Sequence, residues 1–197
     1  MKFLGKKRGF TLIEMLIVIV IIGVLASALI PRLGSARGKA NDVARKADLQ
    51  QVATAIISYQ IDTNYFPTGI KSFSDTGFQA NLVKGGMASI PVGDTTTNWT
   101  GLDNVSTGGY RYYPMKKNGG ANNGFMLASR AETEGGANFV HCGLASVVTP
   151  DGTIDVDSIK MPSKIVLDTD GTCTCNGGAG GEATACDKNQ LLYIYKY

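Results

Sequence analysis

The sequence predicts an α+β fold. A long N-terminal α-helix, membrane-spanning in its first half and amphipathic in its second, packs against a small antiparallel β-sheet head. Disulfides staple the C-terminal loops of that head. Three observations carry this expectation. A largely apolar run over residues 10–30 passes into a three- and four-residue periodicity that lasts to Ile61. Short alternating segments, separated by Gly-, Asn- and Asp-rich turns, fill the chain after Gly69. All four cysteines, Cys142, Cys173, Cys175 and Cys186, fall in the C-terminal third.

Of the formal net charge of +3, the cluster Lys2, Lys6, Lys7 and Arg8 supplies more than the whole. Without residues 1–9 the chain holds 15 basic and 16 acidic residues. No basic face remains to suggest general nucleic-acid binding. An even cysteine count behind an export-like N-terminus reads as disulfides formed outside the cytoplasm. Cys173 and Cys175 stand too close to bridge each other comfortably, so Cys142 takes one of them and Cys186 the other, in either pairing. A zinc site built from these thiols and His141 is the competing reading, but a C-x-C without a second close pair supports it only weakly.

The N-terminal run "GKKRGFTLIEMLIVIVIIGVLASALIPRL" allows three readings. A signal peptide has a cationic start, an apolar core of about 7–15 residues and an A-x-A-like cleavage site. Ala26-Ser27-Ala28 would supply that site, but the apolar stretch is too long and contains Glu14. A plain membrane helix fits the length, since residues 10–30 would rise about 31 Å. The N-terminal Lys/Arg cluster then keeps the start cytoplasmic and sends the rest outward, in agreement with the cysteines. It leaves Glu14 and the abrupt Gly9-Phe10 junction unexplained. A carboxylate is costly in a membrane helix unless it lies shallow or meets an opposite charge. Cutting after Gly9 would place an α-ammonium on Phe10, one helical turn from Glu14. A neighbouring copy could offer that amine to this carboxylate, so that charge pairing sets register. Pro31 offers no N–H to the carbonyl of Ser27, and its ring crowds that turn, so a helix crossing it kinks.

After Pro31 the stretch "LGSARGKANDVARKADLQQVATAIISYQI" reads as helix. Leu33, Ala36, Ala40, Val43, Ala44, Ala47, Val52, Ala53, Ile56 and Ile57 recur at helical spacing, and charged residues fill much of the rest. Asp42 and Lys46 are placed as an i,i+4 ion pair. The apolar stripe widens after Val52, as expected if the later half packs on the head while the earlier half meets other copies. Asp62-Thr63-Asn64 and Tyr65-Phe66-Pro67 end the helix.

In the head, "YRYYPMK" (residues 110–116) and "GFMLASRAE" (124–132) flank Asn118-Gly119-Gly120 and predict a hairpin. "NFVHCGLASVV", "KIVLDTD" and "LLYIYKY" are further strands. Pro150-Asp151-Gly152-Thr153 and Asp170-Gly171-Thr172 are turns. The segments 69–109 and 172–187 are expected to contribute few core residues. Disulfides would substitute for core in the second.

Chemistry is sparse. His141 is the lone histidine, and no catalytic triad order, phosphate-binding loop or metalloprotease motif occurs. No enzymatic activity is expected. Asp168 and Asp170 open a calcium-loop pattern, but no glutamate stands at its twelfth position. A turn with solvated carboxylates is therefore preferred, with calcium as the weaker alternative and no other cofactor. Asn98-Trp99-Thr100 and Asn104-Val105-Ser106 match a glycosylation acceptor pattern short enough to arise by chance. Trp99, Tyr110, Tyr112 and Tyr113 are read as sheet residues covering the helix, in preference to a stacking platform for single-stranded DNA.

The run "KKRGFTLIEMLIVIVIIGVLASALIPRL" resembles the prepilin leader and N-terminal helix of type IV pilins and type II secretion pseudopilins, and is most similar to major pseudopilins. "ISYQIDTNYFPTG" resembles the end of the helix in such subunits. The resemblance is strong over residues 5–65 and loose beyond them. It implies cleavage by a prepilin peptidase between Gly9 and Phe10, methylation of Phe10, filament docking through Glu14 and helix bending at Pro31. It divides the chain into a leader (1–9), a transmembrane and filament-core helix half (10–31), an amphipathic half (32–65) and an extracytoplasmic β head (66–197). The implied partners are copies of the chain in a helical filament, the peptidase, an assembly platform and ATPase, and the membrane that holds the precursor. The implied location is the cytoplasmic membrane first, with the N-terminus inside, and then a periplasmic or extracellular filament. Some heads in this family hold calcium in a C-terminal loop. Two rival readings are a DNA-uptake or adhesive minor pilin, and a singly anchored extracellular domain that never polymerises.

Overall fold

A computed structural model describes residues 9–96, 99–100, 106–117, 120–133, 135–140, 153–155 and 191–197. The chain divides into two compact units, Met1–Arg37 and Gly38–Tyr197. Helix α1, Leu12–Thr63, runs through both. Its end follows the expected signals. Asn64 adopts the left-handed conformation (φ 63°), its N–H donates to the Gln60 carbonyl at 2.8 Å, and the Thr63 hydroxyl donates to the Tyr59 carbonyl at 2.7 Å. This is the chemistry of a helix C-terminus, where a non-helical residue satisfies carbonyls that have lost their partners.

Among its described residues the first unit buries no side chain. Leucine, isoleucine and valine side chains are exposed all round the helix, with Leu12 83% and Ile19 66% accessible. A helix apolar on every side is built for a solvent other than water or for burial by other chains. Among the described residues no single helix is long and apolar enough to cross a membrane. Leu12–Ala28 and Leu33–Thr63 meet the requirement by length and composition as a bent pair. The 17 residues from Leu12 to Ala28 rise about 26 Å, slightly short of a hydrocarbon core.

In the second unit α1 lies against a sheet. Strand β1 is Lys71–Ser72, and helix α2 is Thr76–Lys84. A small ladder pairs β2, Trp99–Thr100, with β3, Ser106–Thr107. The main sheet contains β4 (Arg111–Lys117), β5 (Gly120–Arg130), β6 (Phe139–Val140), β7 (Ile154–Asp155) and β8 (Leu191–Lys196). The strand order is β1-β4-β5-β8-β6, with β7 also pairing β4. The expected hairpin is present. Tyr112 faces Leu127 and Pro114 faces Phe125, with an irregularity between Met115 and Lys117. β5 starts earlier than expected, at Gly120. Among the described residues the sheet is antiparallel except for one pairing, in which β7 runs parallel to β4. Strands were expected within "NFVHCGLASVV" and "LLYIYKY", and β6 and β8 lie there. "KIVLDTD" lies outside the described residues.

Leu49, Val52, Ala53 and Ile56 of α1 form one core with Phe66, Phe73, Phe78, Leu82, Tyr110, Tyr112, Phe125 and Leu127. Its rings meet tilted in Phe78–Tyr112 at 4.9 Å, edge-on in Phe73–Tyr110 at 5.5 Å and stacked in Tyr112–Phe125 at 6.1 Å. The Tyr112 hydroxyl donates to the Pro67 carbonyl at 2.7 Å, which satisfies both buried groups.

Residues 69–109 depart from the expectation of little core. Phe73, Phe78 and Leu82 there are fully buried. Asp75 caps α2 by accepting from the Phe78 N–H at 2.8 Å, the usual service of an N-cap aspartate. The helix ends at Gly85, where a Cβ would sit 2.0 Å from the Ala55 carbonyl oxygen of α1. Only glycine lets the two backbones approach so closely. Alternation in "YRYYPMK" does not mark one wet face, because Tyr113 and Met115 are as buried as Tyr112.

Candidate functional site

The functional residues expected from the sequence gather at the start of α1. Thr11 stands immediately before the first helical residue, and Glu14 is the third position of the first turn. The Glu14 Oε2 accepts from the Thr11 backbone N–H at 2.7 Å and from the Thr11 hydroxyl at 2.8 Å. In return the Glu14 N–H donates to Thr11 Oγ1 at 3.3 Å. This is a capping box, two reciprocal bonds that satisfy donors a helix start leaves orphaned. The negative carboxylate also sits where the helix dipole favours it. Glu14 therefore has an internal partner, Thr11, whose part the sequence reading missed. The signal was available as T-x-x-E directly before an apolar run.

Phe10 is exposed, and a Cβ added at Gly9 would meet nothing within 4 Å. Among the described residues nothing crowds that position. Further along, the Ser27 hydroxyl donates to the Val24 carbonyl at 2.8 Å, so its polar group is satisfied within the helix. Pro31 falls between the two members of the bent pair, and its side chain lies outside the described ones.

The head fastens α1 through charge. Asp42 is buried, with Oδ1 accepting from the Glu132 N–H at 2.8 Å and from Arg45 at 3.1 Å. Its Oδ2 accepts from the Thr133 N–H at 2.9 Å and the Thr133 hydroxyl at 2.6 Å. Gly136 closes over this carboxylate so tightly that any Cβ would collide with Asp42 Oδ2. Arg45 bridges on to Glu132, and Asn41 donates to the same carboxylate. The expected Asp42–Lys46 pair is absent. Asp42 pairs with Arg45, while Lys46 reaches the Gly135 carbonyl and lies 4.9 Å over the Tyr193 ring. A buried carboxylate takes the partners that desolvation makes necessary, and the loop N–H groups lie closer to that need than an exposed ammonium. Asp48 accepts from the Tyr110 hydroxyl at 2.6 Å. Burial, then that carboxylate, push the Tyr110 hydroxyl above its ordinary pKa, and burial does the same for Tyr112.

Tyr110, Tyr112 and Tyr113 are buried and are core residues rather than a stacking platform. The side chain of Trp99 is outside the described ones. Cys142, Cys173, Cys175, Cys186, His141, Asp168 and Asp170 all lie outside the described residues. Among those described, no group of three or more His, Cys, Asp or Glu converges as a metal site.

Residues 4–30 match the family described as the prokaryotic N-terminal methylation motif. The chain is 41% identical over 68 residues to type II secretion system core protein G of Escherichia coli (strain K12), covering 34% of this chain and 47% of that protein. It is 43% identical over 88 residues to the type IV wide pilus major component PilA4 of Thermus thermophilus, covering 45% and 60%. To core protein G of Vibrio cholerae the identity is 34% over 84 residues, covering 43% and 54%. The chain thus spans about half the length of the curated relatives it matches. No solved structure gives a significant match.

Proposed function

We propose that this chain, whose N-terminus is that of the type IV pilins and type II secretion pseudopilins, is a structural subunit of such a filament and not an enzyme. The observation that carries this reading is the first unit, an apolar helix exposed on all sides with a single carboxylate near its start. Such a surface needs either lipid or other copies of itself. A membrane-held precursor followed by a polymer uses both in turn.

In this reading a prepilin peptidase cuts after Gly9 and Phe10 becomes a methylated N-terminus. The amine of a neighbouring copy then meets Glu14, which until that moment is held by Thr11. An assembly platform and ATPase lift the subunit from the bilayer, and Pro31 supplies pliancy, since it removes one helical hydrogen bond. The cysteines form two bridges in an extracytoplasmic head, and Asp168 and Asp170 remain weak calcium candidates.

N-terminal sequencing and intact mass of the mature protein test this. A chain beginning at methylated Phe10 supports the filament subunit. A chain beginning at Leu29 makes the run a signal peptide, and an uncut chain makes it a simple anchor. Glu14→Ala should still be cleaved while filament incorporation falls at least tenfold. Normal filaments from that variant would remove the docking role of Glu14. Retained filament number with loss of DNA or surface binding on head variants would favour a minor, adhesive or DNA-uptake subunit.

A further inference from the structure

Within the second unit α1 is fastened in two different ways, and the change falls at Leu49. From Leu49 to Tyr59 it is sealed by buried apolar side chains. From Gly38 to Asp48 the apolar side chains are all exposed, and that of Asp42 is the one buried side chain. Polar bonds hold this stretch, most of them to the turn that follows β5. Asp42 accepts from the Glu132 and Thr133 N–H groups and from the Thr133 hydroxyl, while Asn41 and Arg45 donate to the Glu132 carboxylate. Lys46 donates to the Gly135 carbonyl at 3.5 Å. The Gly136 N–H donates to Thr133 Oγ1 at 3.1 Å and fixes that hydroxyl from the other side. Two glycines let the backbones close up. A Cβ at Gly38 would lie 3.0 Å from Thr133 Cγ2, and one at Gly136 would strike the Asp42 carboxylate.

We infer that residues 132–136 are a strap, which releases residues 38–47 of α1 while the sheet and the 49–59 stretch stay folded. Segments with few buried apolar contacts are the ones that open locally. Water can replace the bonds of a polar attachment, whereas freeing Leu49, Val52 or Ile56 would expose apolar area. The Asp48–Tyr110 bond stands at the edge of the core and marks where the lifting stops. Opening frees about 14 Å of helix. The inference goes beyond the filament reading and does not depend on it. For a filament subunit, its consequence is a point of give in α1 on the head side of Pro31.

Native-state amide exchange of the full chain in detergent tests this, because the Glu132 and Thr133 N–H groups both donate to Asp42 and report whether the strap is shut. Corrected for intrinsic rates, these two amides should exchange at least tenfold faster than those of Ile56 and Leu127. Low denaturant should quicken the core pair and leave the strap pair unchanged, since a local opening exposes little surface. Gly38→Ala should wedge the strap. Thr133 cannot swing its methyl group aside without leaving Asp42, and alanine strengthens the helix itself. Glu132 and Thr133 should then exchange about fivefold faster again, with Ile56 and Leu127 no faster. A strap pair as slow as the core pair in the unaltered chain would overturn the inference. So would a Gly38→Ala chain in which all four amides quicken together, or in which the strap pair does not quicken. Failure to form filaments would touch only the filament reading, since every measurement is made on the dispersed chain.

Discussion

Residues 12–28 and residues 42–59 belong to one helix, yet they use apolar and charged side chains in opposite ways. In the second stretch Leu49, Val52 and Ile56 are sealed beneath the sheet, and each charge has a named partner in the head. In the first stretch nothing apolar is buried, and the one carboxylate is held only by its own first turn. Intrinsic helix propensity differs, since the first stretch is rich in Ile and Val and the second in Ala, Arg, Lys and Gln, but propensity does not decide where the partners lie. What differs is whether the partner for each side chain is inside the chain. Where the chain supplies the partner, a substitution is read in folding stability. Where it does not, the same substitution is read in assembly.

The largest separation comes from matched truncations in the two stretches. Leu49→Ala and Ile56→Ala remove side chains with no solvent exposure, and each should destabilise the head by about 3 kcal/mol. Ile17→Ala, in the exposed stretch, should leave head unfolding unchanged within about 0.5 kcal/mol. Chemical denaturation of full-length protein in detergent, read by the near-ultraviolet signal of the buried tyrosines, compares them. An equal loss for Ile17→Ala would erase the distinction between the stretches.

Asp42→Ala comes next. It strips partners from the Glu132 and Thr133 N–H groups and from Arg45 at once, at a buried position. A loss of roughly 2–3 kcal/mol is expected. Asp42→Asn keeps one carbonyl acceptor and should retain part of that stability. Amide exchange should quicken at residues 132–136 before it does elsewhere in the head. A surface role, of the kind an i,i+4 pair with Lys46 would have given, predicts almost no change.

The contrast also explains which parts were legible in the sequence. Periodicity reports what a residue type prefers, so the apolar run, the 110–130 hairpin and the end of α1 at Asn64 could all be read directly. It does not report a partner 90 residues away, which is why Asp42 looked like an ordinary solvent-facing charge. Helix α2 escaped for a different reason. At nine residues it is too short for its Phe78 and Leu82 to establish a period, and the Asp75 cap was its clearest signal. The parallel β4–β7 pairing involves two residues of β7 whose order in the sheet no local pattern encodes. The place of Thr11 in a capping box is legible as T-x-x-E ahead of an apolar run.

Tyr110→Phe should cost about 1 kcal/mol at neutral pH by leaving Asp48 without its donor. Its pH dependence is more informative. The pKa of Tyr110 is raised in the folded state, by burial first and then by Asp48. Its stabilising contribution is therefore fully present below the ordinary tyrosine pKa of about 10 and declines as pH rises above that value. The wild-type head should lose stability above about pH 10 more steeply than Tyr110→Phe. Parallel alkaline limbs for the two proteins would mean that the hydroxyl is not constrained in this way.

The smallest expected effect lies at the helix start, where it separates capping from docking. Thr11→Ala removes the hydroxyl that donates to Glu14 and accepts from the Glu14 N–H, and keeps the backbone N–H donor at position 11. Loss of such a cap typically speeds opening of the first turn by about fivefold, and Thr11→Ser should restore it. Hydrogen exchange at the amides of residues 12–15 in detergent measures this directly. Glu14→Ala also breaks the box, so it should quicken the same amides to a similar degree. The two variants then differ in assembly alone. Thr11→Ala leaves a carboxylate for a neighbouring amine, and its filaments should be reduced modestly compared with the loss in Glu14→Ala. If both variants lose filaments equally, Glu14 acts by starting the helix, and the pairing between copies is unnecessary.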